Sequence, residues 1–268
     1  MLVAEHQGKR VEAAGAERGP NYTCPRCKGV VILKLGRIVI SHFAHKPPTD
    51  CTWAKGETRA HLEAKKLIRD SLVARGRRAE MEYIVVALPG DRRADVMTWS
   101  PNGMQVAFEL QHTSIGLNEI EKRAFSYARE GIAQIWIPFI GAPAWRTAEP
   151  HGVGRMFIEK YSPRPFEKWV HGLYGKEGMW MYAPHDKTFW HAKLVGHQTY
   201  VEESSWFETG GEERSAGGFY RWSKRYRELS LSGPHSINNL RINIQNRKAV
   251  SLATYNWPSG KIASLTPS

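Results

Sequence analysis

Two acidic residues and an amide in the stretch Arg92 to Gln111 are spaced for metal chemistry. The stretch reads R-R-A-D-V-M-T-W-S-P-N-G-M-Q-V-A-F-E-L-Q. Two short apolar runs, Ala94 to Thr98 and Gln105 to Leu110, flank Ser100-Pro101-Asn102-Gly103. Asn-Gly between such runs signals a tight hairpin. On the second run Glu109 and Gln111 lie two apart and share a strand face, with Val106, Phe108 and Leu110 on the other. The hairpin carries Asp95 across from Glu109. Two carboxylates and an amide side by side suit a hard divalent cation such as Mg²⁺ or Mn²⁺, which takes oxygen ligands, retains waters and meets substrate phosphate.

A strand pair with Asp, then Glu-x-Gln, resembles the core of the PD-(D/E)XK nuclease superfamily. There an Asp and a Glu hold the metal, and a third polar residue, usually Lys, positions or polarises water. Gln111 stands in that third place here. It orients by hydrogen bonding but carries no charge, so the electrostatic help of a lysine must come from elsewhere, and Lys65 is the candidate.

The elements around this hairpin follow from composition and pattern. The chain has 268 residues with 41% hydrophobic content, enough for one large domain or two modest ones. No apolar run is long enough to cross a bilayer and no secretory segment is evident, so a cytoplasmic protein without membrane contact is expected. The formal net charge is +12 and the pI about 9.7, which favours a polyanionic partner, most simply nucleic acid. The three cysteines, Cys24, Cys27 and Cys51, fall within one short stretch, which points to metal rather than disulfides. Cys24-x-x-Cys27 followed by Gly29 is a zinc-knuckle turn. The apolar runs Val30 to Leu35 and Arg37 to Ser41 around Gly36 suggest a hairpin that delivers His42-Phe43-Ala44-His45. Cys24, Cys27, His45 and Cys51 make a full tetrahedral set for a structural zinc, with His42 as the substitute for His45.

Glu57 to Arg75 has helical periodicity, with Ala60, Ala64, Leu67 and Leu72 recurring. Glu57, His61 and Lys65 are spaced by four and form one row. The row runs on into Ile68 and Leu72, so its polar end faces inward, where the carboxylates of the neighbouring sheet are natural partners. Glu82 to Leu88 reads as the strand before Asp95, with a turn at Pro89-Gly90. Ser114 to Glu130 reads as a second helix with an Asn118/Glu121 capping box, a buried row of Ile120, Ala124 and Tyr127, and Gly131 as its stop. Arg123 lies one turn from Tyr127, within reach of a phosphate. Ala133 to Ile137 is a short buried strand.

In order, these motifs are C-P-x-C, H-F-A-H, G-E-x-x-x-H-x-x-x-K, R-x-D-V, F-E-L-Q-H-T, R-x-x-x-Y and I-W-I. Across residues 22 to 137 they resemble the competence protein CoiA-like family. The resemblance implies a zinc-ribbon-like module (1–56) and a PD-(D/E)XK restriction-endonuclease-like α/β core (57–140); outside the resemblance, residues 141–268 read as a basic, aromatic-rich α+β extension. It implies a link to DNA uptake and recombination, with recombination or DNA-processing proteins as further partners. Matched residue by residue, Asp95, Glu109 and Gln111 take the catalytic motif and Glu57, His61 and Lys65 the first-helix motif.

After Gly141 the signals are a short helix at Phe166 to Tyr174, an aromatic hairpin at Gly178 to Lys193 and a loose C-terminal tail over the last ten residues. Between Arg214 and Lys248 eight basic residues face one acidic residue, Glu228. Arg221, Lys224, Arg225 and Arg227 interleave with Phe219, Tyr220, Trp222 and Tyr226, a pattern that suits phosphate neutralisation and base stacking on single-stranded or distorted nucleic acid. The expected function is a Mg²⁺- or Mn²⁺-dependent deoxyribonuclease. The alternative is a non-catalytic DNA-binding module with the same fold.

Overall fold

The computed structural model describes residues 1–268 except 37–39, 52, 54–56, 89 and 90. The expected strand at Arg37 to Ser41 falls partly, and the Pro89-Gly90 turn wholly, outside the described residues. Near the N-terminus, β1 (Val3–His6), β2 (Lys9–Glu12), β3 (Tyr22–Thr23), β4 (Val30–Lys34) and β5 (His42–His45) form a five-stranded sheet in the order β2-β1-β3-β4-β5. The first two strands form a hairpin, with Ala4 paired to Val11.

The next elements are α1 (Arg59–Ala74), β6 (Ala79–Val85), β7 (Arg92–Trp99), β8 (Gln105–Gln111), α2 (Leu117–Arg129) and β9 (Ala133–Pro138). This is the expected order of helix, three strands, helix and strand. The Thr58 side chain caps α1 by accepting from the His61 N–H at 3.2 Å, and Gly76, in the left-handed region at φ 73°, ends it. The apolar row Leu62, Ile68 and Leu72 packs on Val96, Val106, Phe108 and Leu110, each such side chain contributing about 1.5–3 kcal/mol on burial. The β7–β8 hairpin turns at Asn102-Gly103, with Gly103 at φ 81°. On the opposite face of the sheet, α2 buries Ile120, Ala124 and Tyr127. Its N-cap is Gly116, without a side-chain cap. Glu121 instead accepts from the Asn256 backbone N–H at 2.8 Å, so the expected capping box does not form.

The remaining elements are α3 (Ala142–Arg146), β10 (Glu149–Pro150), β11 (Arg155–Tyr161), α4 (Pro165–Tyr174), β12 (Met179–Ala183), β13 (Thr188–Val201), β14 (Ser204–Phe207), β15 (Glu213–Ala216), β16 (Phe219–His235), β17 (Leu240–Arg247), β18 (Val250–Ser251), β19 (Asn256–Trp257) and β20 (Gly260–Pro267). A second sheet runs β10-β11-β16-β13-β12, while β14–β15 and β18–β19 are separate two-stranded pairs. The central sheet runs β17-β20-β9-β8-β7-β6. Its fifth and sixth strands therefore come from residues 240–267, beyond the expected 57–140 core. The expected loose tail is β20, parallel to β9 through Ile262 and Gln134, and it buries Ala263 and Leu265. The architecture is mixed α/β and strand-rich. Among the described residues no helix is long and apolar enough to cross a membrane.

Candidate functional site

The central finding is a break in the strand pattern at Asp95. Regular alternation would put Asp95 on the α2 face with Glu109. Pairing of β7 with β8 stops at Val96–Phe108, and beyond it the Leu110 N–H donates to Asp95 Oδ2 at 2.8 Å rather than to a carbonyl. On the other side, β6 pairs Met81 with Val96 and Tyr83 with Ala94. Glu82, between them, sits at φ 52°, a conformation costing a non-glycine residue about 1–3 kcal/mol. The Asp95 carboxylate reaches α1 instead: Oδ2 lies 3.1 Å from His61 Nε2 and Oδ1 3.4 Å from Lys65 Nζ.

Glu57 completes this group. It immediately precedes the N-cap of α1 rather than lying in the helix. Its Oε1 accepts from Lys65 Nζ at 2.6 Å and from Arg93 at 3.0 Å, and lies 3.7 Å from His61 Nδ1. Among the described residues its Oε2 is buried without a hydrogen bond, 3.7 Å from the Met1 ammonium. Glu57, His61 and Asp95 each offer one ligand atom, all within 4.8 Å of one another. That donor set fits a divalent cation. One imidazole with two carboxylates favours Mn²⁺ over Mg²⁺, which prefers oxygen alone.

Lys65 is fully buried and also bonds Glu82 at 2.9 Å. Burial alone would lower its pKa, but Glu82, Glu57 and Asp95 outweigh that and raise it. It is therefore a fixed cation and not a proton donor. Burial likewise works to raise Asp95, yet His61 and Lys65 hold it well below the usual carboxylate range. Glu82 is held down in the same way by Lys65 and Arg93, against its burial. The sequence did not mark Glu82 as part of the site: Met81 and Glu82 are both buried, so no alternation distinguishes it.

Glu109 faces α2, not the Glu57–His61–Asp95 group. The Tyr127 hydroxyl donates to its Oε1, and Arg123 donates to its Oε2 at 3.3 Å. Both oxygens are engaged from α2, and Glu109 is not among the ligand atoms of Glu57, His61 and Asp95 that lie within 4.8 Å of one another. Burial pushes the Glu109 carboxyl up to about 7, against Arg123 and helped by the Asp95 charge. Between the ordinary carboxylate range and pH 7 the folded chain binds a proton that the unfolded chain releases. This group's contribution to stability therefore falls as pH rises through that window. Glu109→Gln should gain melting temperature over the wild type at pH 8 and lose that advantage near pH 5. A constant difference across this range in thermal melts would contradict the assignment.

Gln111 Nε2 donates to the Thr113 carbonyl at 2.5 Å, so its amide nitrogen is tied to its own loop. Glu57, His61, Asp95, Glu109 and Gln111 line one cleft of about 640 Å³ that also takes in Arg92, Arg93 and Arg123. Among the described residues Arg93 NH1 is buried without a hydrogen bond, a donor suited to a phosphate oxygen. Arg221, Lys224, Arg225 and Arg227 do not line this cleft; they lie on β16. The first three are exposed, whereas Arg227 NH1 folds back onto the Ser223 and Tyr226 carbonyls at 2.7 and 2.8 Å.

The cysteines assemble as expected. The ligand atoms of Cys24, Cys27, His45 and Cys51 lie within 4.8 Å of one another. The Cys24 N–H donates to the Gly29 carbonyl at 2.8 Å and the Gly29 N–H to Cys27 Sγ at 3.4 Å, forming the knuckle. His45 Nε2 is 3.4 Å from Cys27 Sγ. His42, three residues away and so on the opposite strand face, turns Nδ1 to the Ile40 carbonyl at 3.0 Å and is not part of the cluster. Three thiolates and one imidazole fit zinc and leave no open position. The purified protein should carry about one zinc per chain, and Cys24→Ser should lose it together with the order of the N-terminal sheet. Elemental analysis finding no zinc in never-chelated protein would contradict this.

Residues 5–54 match the family model described as "Competence protein CoiA, N-terminal domain", and residues 57–204 the one described as "Competence protein CoiA, nuclease-like domain". A curated relative, the competence protein CoiA of Bacillus subtilis (strain 168), is 31% identical over 117 residues, or 43% of this chain and 31% of that protein. The match thus spans about a third of the relative's length. No solved structure matches. With more than half of its length covered by the nuclease-like model, the chain belongs to the competence protein CoiA family.

Proposed function

We propose that the protein is a metal-dependent deoxyribonuclease with a PD-(D/E)XK-type core, acting in DNA uptake or recombination. The observation that carries this is the convergence of Glu57, His61 and Asp95 in a cleft whose other walls present Arg92, Arg93 and Arg123. The zinc-ribbon-like module supports the core structurally. Glu57, His61 and Asp95 hold the cation, which when bound supplies charge neutralisation on a phosphoryl oxygen and activation of water. Arg93 NH1 and Arg123 orient the phosphate. Glu109, whose carboxyl burial raises to about 7, lines the same cleft from the α2 side. Lys65 fixes the carboxylates.

A second reading, a DNA-binding module without cleavage, is favoured by Gln111. The superfamily's usual lysine is missing, and both Gln111 and Lys65 are committed to other partners. Linear, circular and single-stranded DNA incubated with Mg²⁺, Mn²⁺ or EDTA tests the choice. Cleavage with Mn²⁺ exceeding that with Mg²⁺, and none in EDTA, is expected. Intact DNA in every lane, with binding retained, establishes the second reading.

A further inference from the structure

The β13–β16 hairpin carries aromatic rings that no core and no part of the cleft uses. Its register sets Gln198 opposite Trp222 and Tyr200 opposite Tyr220. Tyr220 and Trp222 lie two apart and share one face of β16. The Tyr200 ring joins that face, its centroid 5.0 Å from that of Tyr220. Trp222 lies over Gly196, where an added methyl group would sit 2.7 Å from the indole ring. Glycine thus gives the indole a seat against the backbone and leaves its other side to solvent. Tyr200, Tyr220 and Trp222 are 49%, 67% and 65% exposed. Rings of this size ordinarily bury most of their area, and a cluster left bare marks an interaction surface.

Charge identifies the occupant. Arg221, Lys224 and Arg225 are exposed on the same strand. Farther out, toward the β14–β15 pair, the hairpin turns acidic with Glu202, Glu203, Glu208, Glu212 and Glu213. A second copy of this chain laid on the rings would set two groups of cations together. A polyanion with flat faces meets both features. We propose that this face binds single-stranded DNA, with unpaired bases stacking on Trp222 and on the Tyr200–Tyr220 pair while Lys224 and Arg225, exposed just beyond the rings, contact phosphates. A duplex hides its base faces, so stacking selects single strands. The acidic outer half turns the phosphates away, so the strand crosses the inner half of the hairpin. The inference rests on the reading of DNA as the partner and specifies its form.

The test is fluorescence anisotropy in EDTA with the full chain. The probes are labelled oligothymidylate of about 20 nucleotides, longer than one stacking site, a duplex of equal length, and oligouridylate. Tyr220→Ala with Trp222→Ala should weaken oligothymidylate binding by about tenfold or more and leave duplex binding nearly unchanged. The salt dependence should keep its slope, because no cation is removed. Gly196→Val, which keeps every ring and every cation but displaces the indole, should reproduce part of the loss, and unchanged melting temperatures show that folding is intact. Equal losses on duplex and single strand, no loss on oligothymidylate, or tighter binding of oligouridylate would overturn the proposal. So would a wild-type dimer in sedimentation that the ring variant dissolves. Ring-dependent binding by a chain that cuts nothing with Mn²⁺ would leave this proposal standing and remove only the nuclease reading.

Discussion

Asp95→Asn should reduce metal-dependent cleavage by roughly 10³-fold, because metal polarisation supplies several kcal/mol of transition-state stabilisation and each 1.36 kcal/mol is about tenfold in rate. The substitution removes the carboxylate that α1 and β8 hold in the gap of the strand pattern. The amide oxygen still accepts the Leu110 N–H that now closes that gap, so the strands stay in register. Lys65 retains Glu57 and Glu82 as partners. The chain should therefore melt within a few degrees of the wild type, and DNA binding in EDTA should persist. Kinetics on a labelled oligonucleotide beside a thermal melt measure both. Cleavage that survives Asp95→Asn would place the chemistry elsewhere in the cleft.

Lys65→Met should have the largest effect on stability. Its ammonium is the shared partner of Glu57, Glu82 and Asp95 in a place with no solvent. Removing one member of a buried charge group leaves the others uncompensated, at about 3–5 kcal/mol. For a chain of this size that lowers the melting temperature by roughly 10 °C. Adding Glu82→Leu should restore part of the loss, since the pair interact directly and are not additive. Full wild-type stability in Lys65→Met together with lost cleavage would show that the lysine acts in the chemistry rather than in holding the carboxylates.

Several parts of this arrangement were legible from residue spacing. The Asn102-Gly103 turn fixes its hairpin locally. The cysteines converge because a knuckle turn and one hairpin suffice to gather them. The His61 and Lys65 pair follows from helical geometry, whereas Glu57 precedes the extended N-cap Thr58 and reaches them through its side chain. What spacing could not show depends on tertiary structure. Strand alternation predicts a common face for Asp95 and Glu109. The left-handed backbone at Glu82 and the carboxylate inserted against Leu110 break it, and neither leaves a mark on hydrophobic pattern. Gln111 is tied by a loop carbonyl two residues on. Strand β20, G-K-I-A-S-L-T-P, is too rich in small and polar residues to stand out. Its place beside β9 is set by a gap in the sheet that the preceding chain leaves.

The most direct test is anomalous diffraction from crystals of the protein soaked in Mn²⁺. The account predicts a peak bounded by Glu57, His61 and Asp95, absent in Asp95→Asn. A peak between Asp95 and Glu109 with His61 uninvolved, or none at a Mn²⁺ concentration that supports cleavage, would contradict it.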